Sequence, residues 1–295
     1  MSRVLVISND VVDTKMAGCG IRSYEIARFL SNFHDVVLAA PNSFNIENCN
    51  FRLMVLNQRA LKKTLKESDV VIVQGMVLSK FPFIKKSSIP IVVDIYVPFI
   101  LEDLEVPLES EAKIYQHNRS VQVFIEQLSA GDYFICANNK QRDLLLGMLC
   151  IIGRINSINY REDKTFYKFI DIVPFGIPSD EPKHTRNVLK GVYKNIETND
   201  KVMLWFGGIW DWFDPITLVK AMQIVHQERD DIKLIFLGLK HPAYPMIHPI
   251  MKRCGEAIEF SKEAGLYDKN VFFEGWIPYN QRGSYLMETD IGIFT

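Results

Sequence analysis

Short apolar runs rich in valine and isoleucine recur along this chain, and segments with helical spacing separate them. The runs lie at residues 4–8, 36–40, 52–56, 70–74, 91–94, 132–137 and 170–173. They are unbroken rather than alternating, so both faces of each strand must be covered. Residues 20–31 have helical spacing, with Ile21, Tyr24, Ile26, Ala27 and Leu30 near one face, and so do 110–128 and 141–152. Buried strands that alternate with helices dictate a parallel sheet with helices on both faces. A polar, proline-rich stretch at 174–200 reads as a linker. The alternation then restarts, with strands expected at 202–206, 232–238, 271–273 and 290–294 and helices at 214–227, 249–264 and 278–288. The expected fold is α/β, with two doubly wound units in tandem over residues 1–180 and 199–295.

The second unit reads as incomplete. It offers four strands, where about six are usual. The chain stops at ETDIGIFT, a buried-type strand with no covering helix after it. At roughly 30 residues per strand-helix-strand step, some 60 or more residues are expected to be missing.

Composition excludes several function classes. A formal net charge of -1 gives no basic field for nucleic acid. The apolar stretch at 144–152 is far short of the ~20 residues of a membrane span. The opening MSRVLVIS has no signal-peptide layout. Five cysteines, an odd number without close pairs, suit a reducing cytosol rather than a disulfide framework or zinc site. The expected location is cytoplasmic.

Two glycine turns sit where open α/β sheets hold ligands, beyond the carboxyl ends of strands. The first, DTKMAGCGIR, brings Gly18 and Gly20 to the head of the first helix. The second, LWFGGIWDWFDP, brings Gly207 and Gly208, followed by Asp214 and Pro215 as a helix start. Backbone amides at such turns can approach an anion, and the next helix presents its positive end. The first turn does not read as a nicotinamide-dinucleotide site. It matches two of the three glycines, its loop is too long, and the second strand ends in AAPN without the acidic residue that a ribose requires.

Four motifs in order resemble the retaining GT-B glycosyltransferases of family 4, many of which build bacterial surface polysaccharides. They are Gly18-x-Gly20-x-Arg22-x-x-Glu25, IVPFGIP at 172–178, FGGIWDW at 206–212, and FEGWIP at 273–278. The resemblance spans nearly the whole chain. It implies two Rossmann-like domains: a C-terminal one that binds a nucleoside-diphosphate sugar, and an N-terminal one that receives a saccharide or lipid-linked saccharide acceptor. By residue, it places Gly18 and Gly20 near the donor diphosphate and sugar, Gly207 and Gly208 as amide donors to the diphosphate, and Gly275, Trp276 and Ile277 by the nucleobase. It implies transfer with retention, without metal or other cofactor, the nucleotide-sugar being a substrate.

The chain departs from the family in two ways. Relatives place cations just after the second-domain glycines, whereas here none follows until Lys220, leaving the phosphates to amides, a helix end, and Arg22 or Lys15. The family's Glu-x7-Glu motif is absent. Two alternatives therefore stay open: a catalytically incompetent binding protein on this scaffold, and a nucleotide-sugar epimerase of the same architecture.

Other residues complete the expectations. Asp94 ends an apolar strand and reads as an acceptor-side base or orienting group, with capping of the next turn as the alternative. Asp211 is the favoured cleft acid of the second unit, Asp214 being an N-cap. Of Trp210 and Trp212, one is expected to stack on a sugar or base and the other to pack in the core. His117 reads as an ordinary helix histidine, and His34, His184, His226, His241 and His248 lack metal-ligand spacing. The cations and aromatics of SKFPFIKK at 79–86 suit an exposed loop, or peripheral contact with an anionic membrane at its inner face. Glu102, Asp103, Glu105, Glu109 and Glu111 read as a solvated loop and helix start.

Overall fold

A computed structural model of the 295-residue chain describes residues 1–105, 110–241 and 251–294. Glu109, His248 and the first two residues of the helix expected at 249–264 lie outside the described residues. The chain divides into two compact units, one comprising Met1–Asp13 with Gly18–Ile177 and the other Thr14–Ala17 with Pro178–Thr295.

The first unit contains, in chain order, β1 (Arg3–Ile7), α1 (Gly18–Leu30), β2 (Asp35–Ala40), β3 (Arg52–Val55), α2 (Gln58–Lys66), β4 (Val70–Gln74), α3 (Val77–Lys80), β5 (Ile91–Asp94), α4 (Phe99–Glu102), α5 (Ser110–Ala130), β6 (Tyr133–Cys136), α6 (Asn139–Ile151), α7 (Ser157–Glu162) and β7 (Ile170–Ile172). Its sheet runs β3-β2-β1-β4-β5-β6-β7, and every neighbouring pair is parallel. Leu5 pairs with Val37 on one side and Val71 on the other. Leu5, Ile7, Val71, Val73, Val93 and Phe134 fill one face, while Val4 and Val6 are buried on the other. This two-sided burial explains the unbroken apolar runs. Each such side chain contributes about 1.5–3 kcal/mol. The chain steps outward from β1 to β3, then returns to the opposite side of β1 as β4. The switch point therefore lies between β1 and β4, where a ligand crevice is expected at the carboxyl ends.

Sequence reasoning missed four helices here, α2, α3, α4 and α7, of which α2 and α7 carry local signals. α2 carries Leu61 and Leu65 one turn apart on its buried side, and Asn57 caps it by accepting from the Ala60 N–H at 2.8 Å. α7 begins with a reciprocal pair in which Asn156 and Asn159 each bond the other's backbone. Both signals were local, but each helix is too short for periodicity to stand out.

The second unit contains β8 (Lys201–Phe206), α8 (Pro215–His226), β9 (Ile232–Leu237), α9 (Lys252–Glu263), β10 (Val271–Glu274), α10 (Arg282–Met287) and β11 (Ile291–Gly292). Its parallel sheet runs β10-β9-β8-β11. Strand alternation sends Trp205, Leu234 and Phe236 to one face and Val202, Leu204, Ile235 and Leu237 to the other. The expected linker is partly a covering layer for that second face, because Val188, Leu189 and Ile196 are buried against Leu204, Ile235 and Phe272. Glu288 fastens it. Its carboxylate accepts from the backbone N–H groups of Val188, Leu189 and Lys190 at 2.9, 2.7 and 2.8 Å. Three apolar residues scattered through a polar stretch have no period, so the sequence gives no element there. Among the described residues, no helix is long and apolar enough to cross a membrane.

Candidate functional site

The first unit holds a cavity of about 560 Å³ whose lining includes residues just beyond β1, β4 and β5. The turn after β4 is tight. Gly75 has φ +54°, and a Cβ there would stand 2.8 Å from the Asn9 side chain, so glycine is required. Asn9 in turn accepts from the Met76 N–H at 3.2 Å.

Asp94 ends β5 at the cavity floor, but it is not a free base. Its side chain is fully enclosed and bonded bidentately by Arg22, Nε to Oδ2 at 2.7 Å and Nη2 to Oδ1 at 2.9 Å. Gln74 Nε2 adds a bond to Oδ2 at 3.2 Å. Burial pushes the carboxyl above its ordinary value, and the bonds from Arg22 and Gln74 oppose that rise. Arg22, expected to reach a phosphate, instead gives its charge to Asp94 and stacks on Tyr96, with Cζ 5.0 Å from the ring centroid. Both groups are enclosed because α1 packs against the sheet and carries Arg22 inward.

Gly18 and Gly20 lie in the first turn of α1 rather than in the loop before it. A Cβ on Gly18 would meet the Tyr96 hydroxyl at 2.9 Å, so this glycine makes room for a neighbouring side chain. Gly18, Gly20, Arg22 and Asp94 thus share one region of the first unit.

The acidic loop is not fully solvated. Burial raises the Glu102 carboxyl to about 7, and Asp103 Oδ2 is buried without a hydrogen-bond partner. The segment 79–86 turns its apolar groups inward. Ile84 is wholly buried, Phe81 and Phe83 pack on the core, and Lys85 pairs with Glu126.

In the second unit, Gly207 (φ +151°) follows β8 and Gly238 (φ +108°) follows β9. A Cβ on Gly238 would stand 2.6 Å from the Gly207 carbonyl oxygen, so the two strand exits are in backbone contact. Asp211, expected as a cleft acid, accepts from the Arg253 N–H at 2.9 Å and so caps the start of α9. Asp214 caps α8 through the Thr217 N–H at 3.1 Å, with Pro215 following. Trp210 and Trp212 stack on each other, centroids 5.5 Å apart and planes 10° off parallel. Both are half-buried, so neither is the core tryptophan, a role taken by Trp205.

A second cavity, about 240 Å³, lies at the carboxyl end of β10, and its lining includes Lys15, Tyr193, Glu274, Gly275, Trp276 and Ile277. The Tyr193 hydroxyl donates to the Glu274 carboxylate. Trp276 Nε1 is a buried donor with no partner. Gly207, Gly208, Trp210 and Asp211 thus follow β8, and Gly275, Trp276 and Ile277 follow β10. Among the described residues, no three His, Cys, Asp or Glu side chains group as a metal site would need.

Sequence reasoning missed Gln74, Gly75, Gly238 and Tyr193. Gln74 carried a readable signal, since it is polar at the carboxyl end of an apolar strand, as Asp94 is. Gly238 carried no such signal, because its need comes from a turn 31 residues earlier in the chain.

No family model matches the chain, and no curated protein matches it. Among solved structures, the crystal structure of WaaG, a glycosyltransferase involved in lipopolysaccharide biosynthesis, aligns over 99% of this chain and 74% of its own, at 14% identity and a TM-score of 0.59. A UDP co-structure of MnaA from S. aureus aligns over the same shares, at 12% identity and a TM-score of 0.47. A UGT transferase from Siraitia grosvenorii in complex with UDP covers 94% of this chain and 74% of its own, at 10% identity and a TM-score of 0.44. The chain therefore has a GT-B glycosyltransferase fold, two α/β units each built on a parallel sheet.

Proposed function

We propose that this chain transfers a sugar from a nucleoside-diphosphate sugar to a hydroxyl of a saccharide or lipid-linked saccharide, with retention, in surface polysaccharide or glycolipid synthesis. The observation that carries the reading is the paired glycine exit of β8 and β9, where Gly207 and Gly238 meet without side chains between them. The Gly207 N–H donates to the Leu237 carbonyl at 3.2 Å and the Gly238 N–H to the Glu274 carbonyl at 2.9 Å, so the amide this exit offers to an anion at the carboxyl end of the sheet is that of Gly208. The Gly208 N–H would donate to the diphosphate, with Gly207 giving it room by having no side chain, aided by the positive end of α8 and by Lys15. The unpartnered Trp276 N–H would meet an oxygen of the nucleotide, beside Gly275 and Ile277. These donors stabilise the charge that grows on the departing diphosphate. With Asp94 enclosed and bonded to Arg22, the acceptor proton would pass to the leaving diphosphate oxygen.

The test is incubation of the chain with uridine, guanosine and adenosine diphosphate sugars, following melting temperature and phosphorus NMR. One donor should raise the melting temperature and be consumed, and a transferred sugar should keep its anomeric configuration. If no donor shifts the melting temperature and none is consumed, the reading is wrong.

A further inference from the structure

At the floor of the first-unit cavity, Gln74 presents a polar side-chain atom that no group among the described residues satisfies. Gln74 is 6% exposed, and its Oε1 is buried without a hydrogen-bond partner. The amide cannot turn over to hide this oxygen. Its Nε2 donates to Asp94 Oδ2, the same oxygen that receives Arg22 Nε. A flipped amide would set one acceptor oxygen against another. The bidentate Arg22–Asp94 pair therefore fixes which end of the Gln74 amide faces the cavity.

We propose that Gln74 Oε1 is a specificity-determining acceptor for a hydroxyl of a neutral, polyhydroxylated ligand bound in this cavity. The inference rests on the transferase reading only in naming that ligand the sugar acceptor. Three observations select this chemistry. First, the unpartnered buried atoms at the site are both acceptors, Gln74 Oε1 and Asp103 Oδ2, so the ligand must bring donors. Second, the charges of the lining are balanced. Asp94 is neutralised by Arg22, and Asp103 shares the lining with Arg119, which disfavours both a phosphate and an ammonium. Third, Tyr96, Phe99 and Tyr115 line the same space, and aromatic rings are the side chains that pack against the C–H side of a pyranose. The volume, about 560 Å³, is in the ordinary range for a small-molecule site. A purely apolar ligand would leave Oε1 desolvated and unbonded, which a buried acceptor penalises.

The probes are the methyl α- and β-pyranosides of glucose, galactose, mannose and N-acetylglucosamine, with their monodeoxy analogues, titrated into the full chain. Binding is read from the Gln74 side-chain amide resonance and the melting temperature. At least one glycoside should shift that resonance, and one monodeoxy analogue should bind at least tenfold more weakly. Gln74→Met, close in shape but without the acceptor, should bind parent and deoxy sugar equally, and its melting shift with uridine diphosphate should match the wild type. If no glycoside moves the Gln74 resonance, or if Gln74→Met discriminates the deoxy analogue as the wild type does, the proposal is overturned. Should Gln74→Met not fold, the wild-type resonance and deoxy series decide alone. The two readings separate cleanly: glycoside binding without any nucleotide response sinks the transferase reading, and the reverse sinks this one.

Discussion

The two units put opposite chemistry at the carboxyl ends of similar sheets. In the first, the cavity beside β1, β4 and β5 leaves acceptors unpaired, Gln74 Oε1 and Asp103 Oδ2, while its strongest charges cancel as Arg22 and Asp94. In the second, the cavity beside β10 leaves a donor unpaired, the Trp276 N–H, with the Lys15 ammonium in the lining. A parallel sheet with helices on both faces supplies only a place. What binds there is set by which buried groups the surrounding packing leaves unsatisfied, because an unmet donor or acceptor costs more than a met one returns.

The largest expected effect comes from breaking the charge balance of the first unit. Arg22→Met leaves Asp94 buried and unpaired, which should cost about 3–5 kcal/mol in chemical denaturation. Arg22→Met combined with Asp94→Leu should recover much of that loss, since it removes both charges. A single variant as stable as the wild type would show that the pair does not hold the cavity floor.

Next is the strand-exit contact of the second unit. Gly238→Ala places a methyl against the Gly207 carbonyl at a positive φ, strain of order 1–3 kcal/mol. Unfolding should show the loss, and calorimetry with the donor should show weakened binding, while the first unit's glycoside binding stays. Donor affinity equal to wild type would separate this turn from the phosphate site.

Trp276→Phe sharpens the comparison at a single atom. It keeps an aromatic ring and deletes the unpartnered N–H. Stability should be unchanged or slightly higher. Donor affinity should fall by about 1 kcal/mol, roughly fivefold, if a ligand oxygen accepts that bond. Unaltered donor affinity would place the indole N–H outside the site.

The smallest effect is a contrast in pH response. Burial raises Glu102 of the first unit to about 7 from an ordinary 4.5, so its folded form holds a proton that the unfolded form has lost. That stability is full below about 4.5 and disappears as pH rises through 7. Glu288 of the second unit lies below its ordinary value. Burial alone would raise it, but the bonds from His184 and from the Lys190, Val188 and Leu189 backbone outweigh that. Its contribution is present above 4.5 and is lost as pH falls through the lowered value. Glu102→Gln should therefore flatten the first unit's decline toward pH 8, and Glu288→Gln should weaken the second unit at pH 7 and progressively less as pH falls through the lowered value. Hydrogen exchange resolved by unit would read both, and parallel pH profiles in the two units would contradict the contrast.

The strands were readable because both faces of each are buried, which leaves an unbroken apolar run such as VVIV before Gln74. The start of α8 was readable because Asp214 and Pro215 cap it within one turn. The candidate residues were readable as positions, the polar or glycine residue at a strand's carboxyl end, and less so as roles. Asp211 has the position of a cleft acid and serves as a cap for α9 through the Arg253 N–H, 42 residues away. Arg22 has the position of a phosphate ligand and is paired with Asp94, 72 residues away. The stretch at 174–200 has the composition of a linker and covers a sheet face through Val188, Leu189 and Ile196.

By itself, then, the sequence determined the α/β class, the order of the strands and the longer helices between them, and the glycine turns, because periodicity, caps and turns are encoded within a few neighbouring residues. Only the tertiary structure decided which charges cancel, which amide orientation is locked, and which atoms are left wanting a partner. Those outcomes depend on strand order and helix packing, which bring together groups too far apart in the chain for any local pattern to pair them.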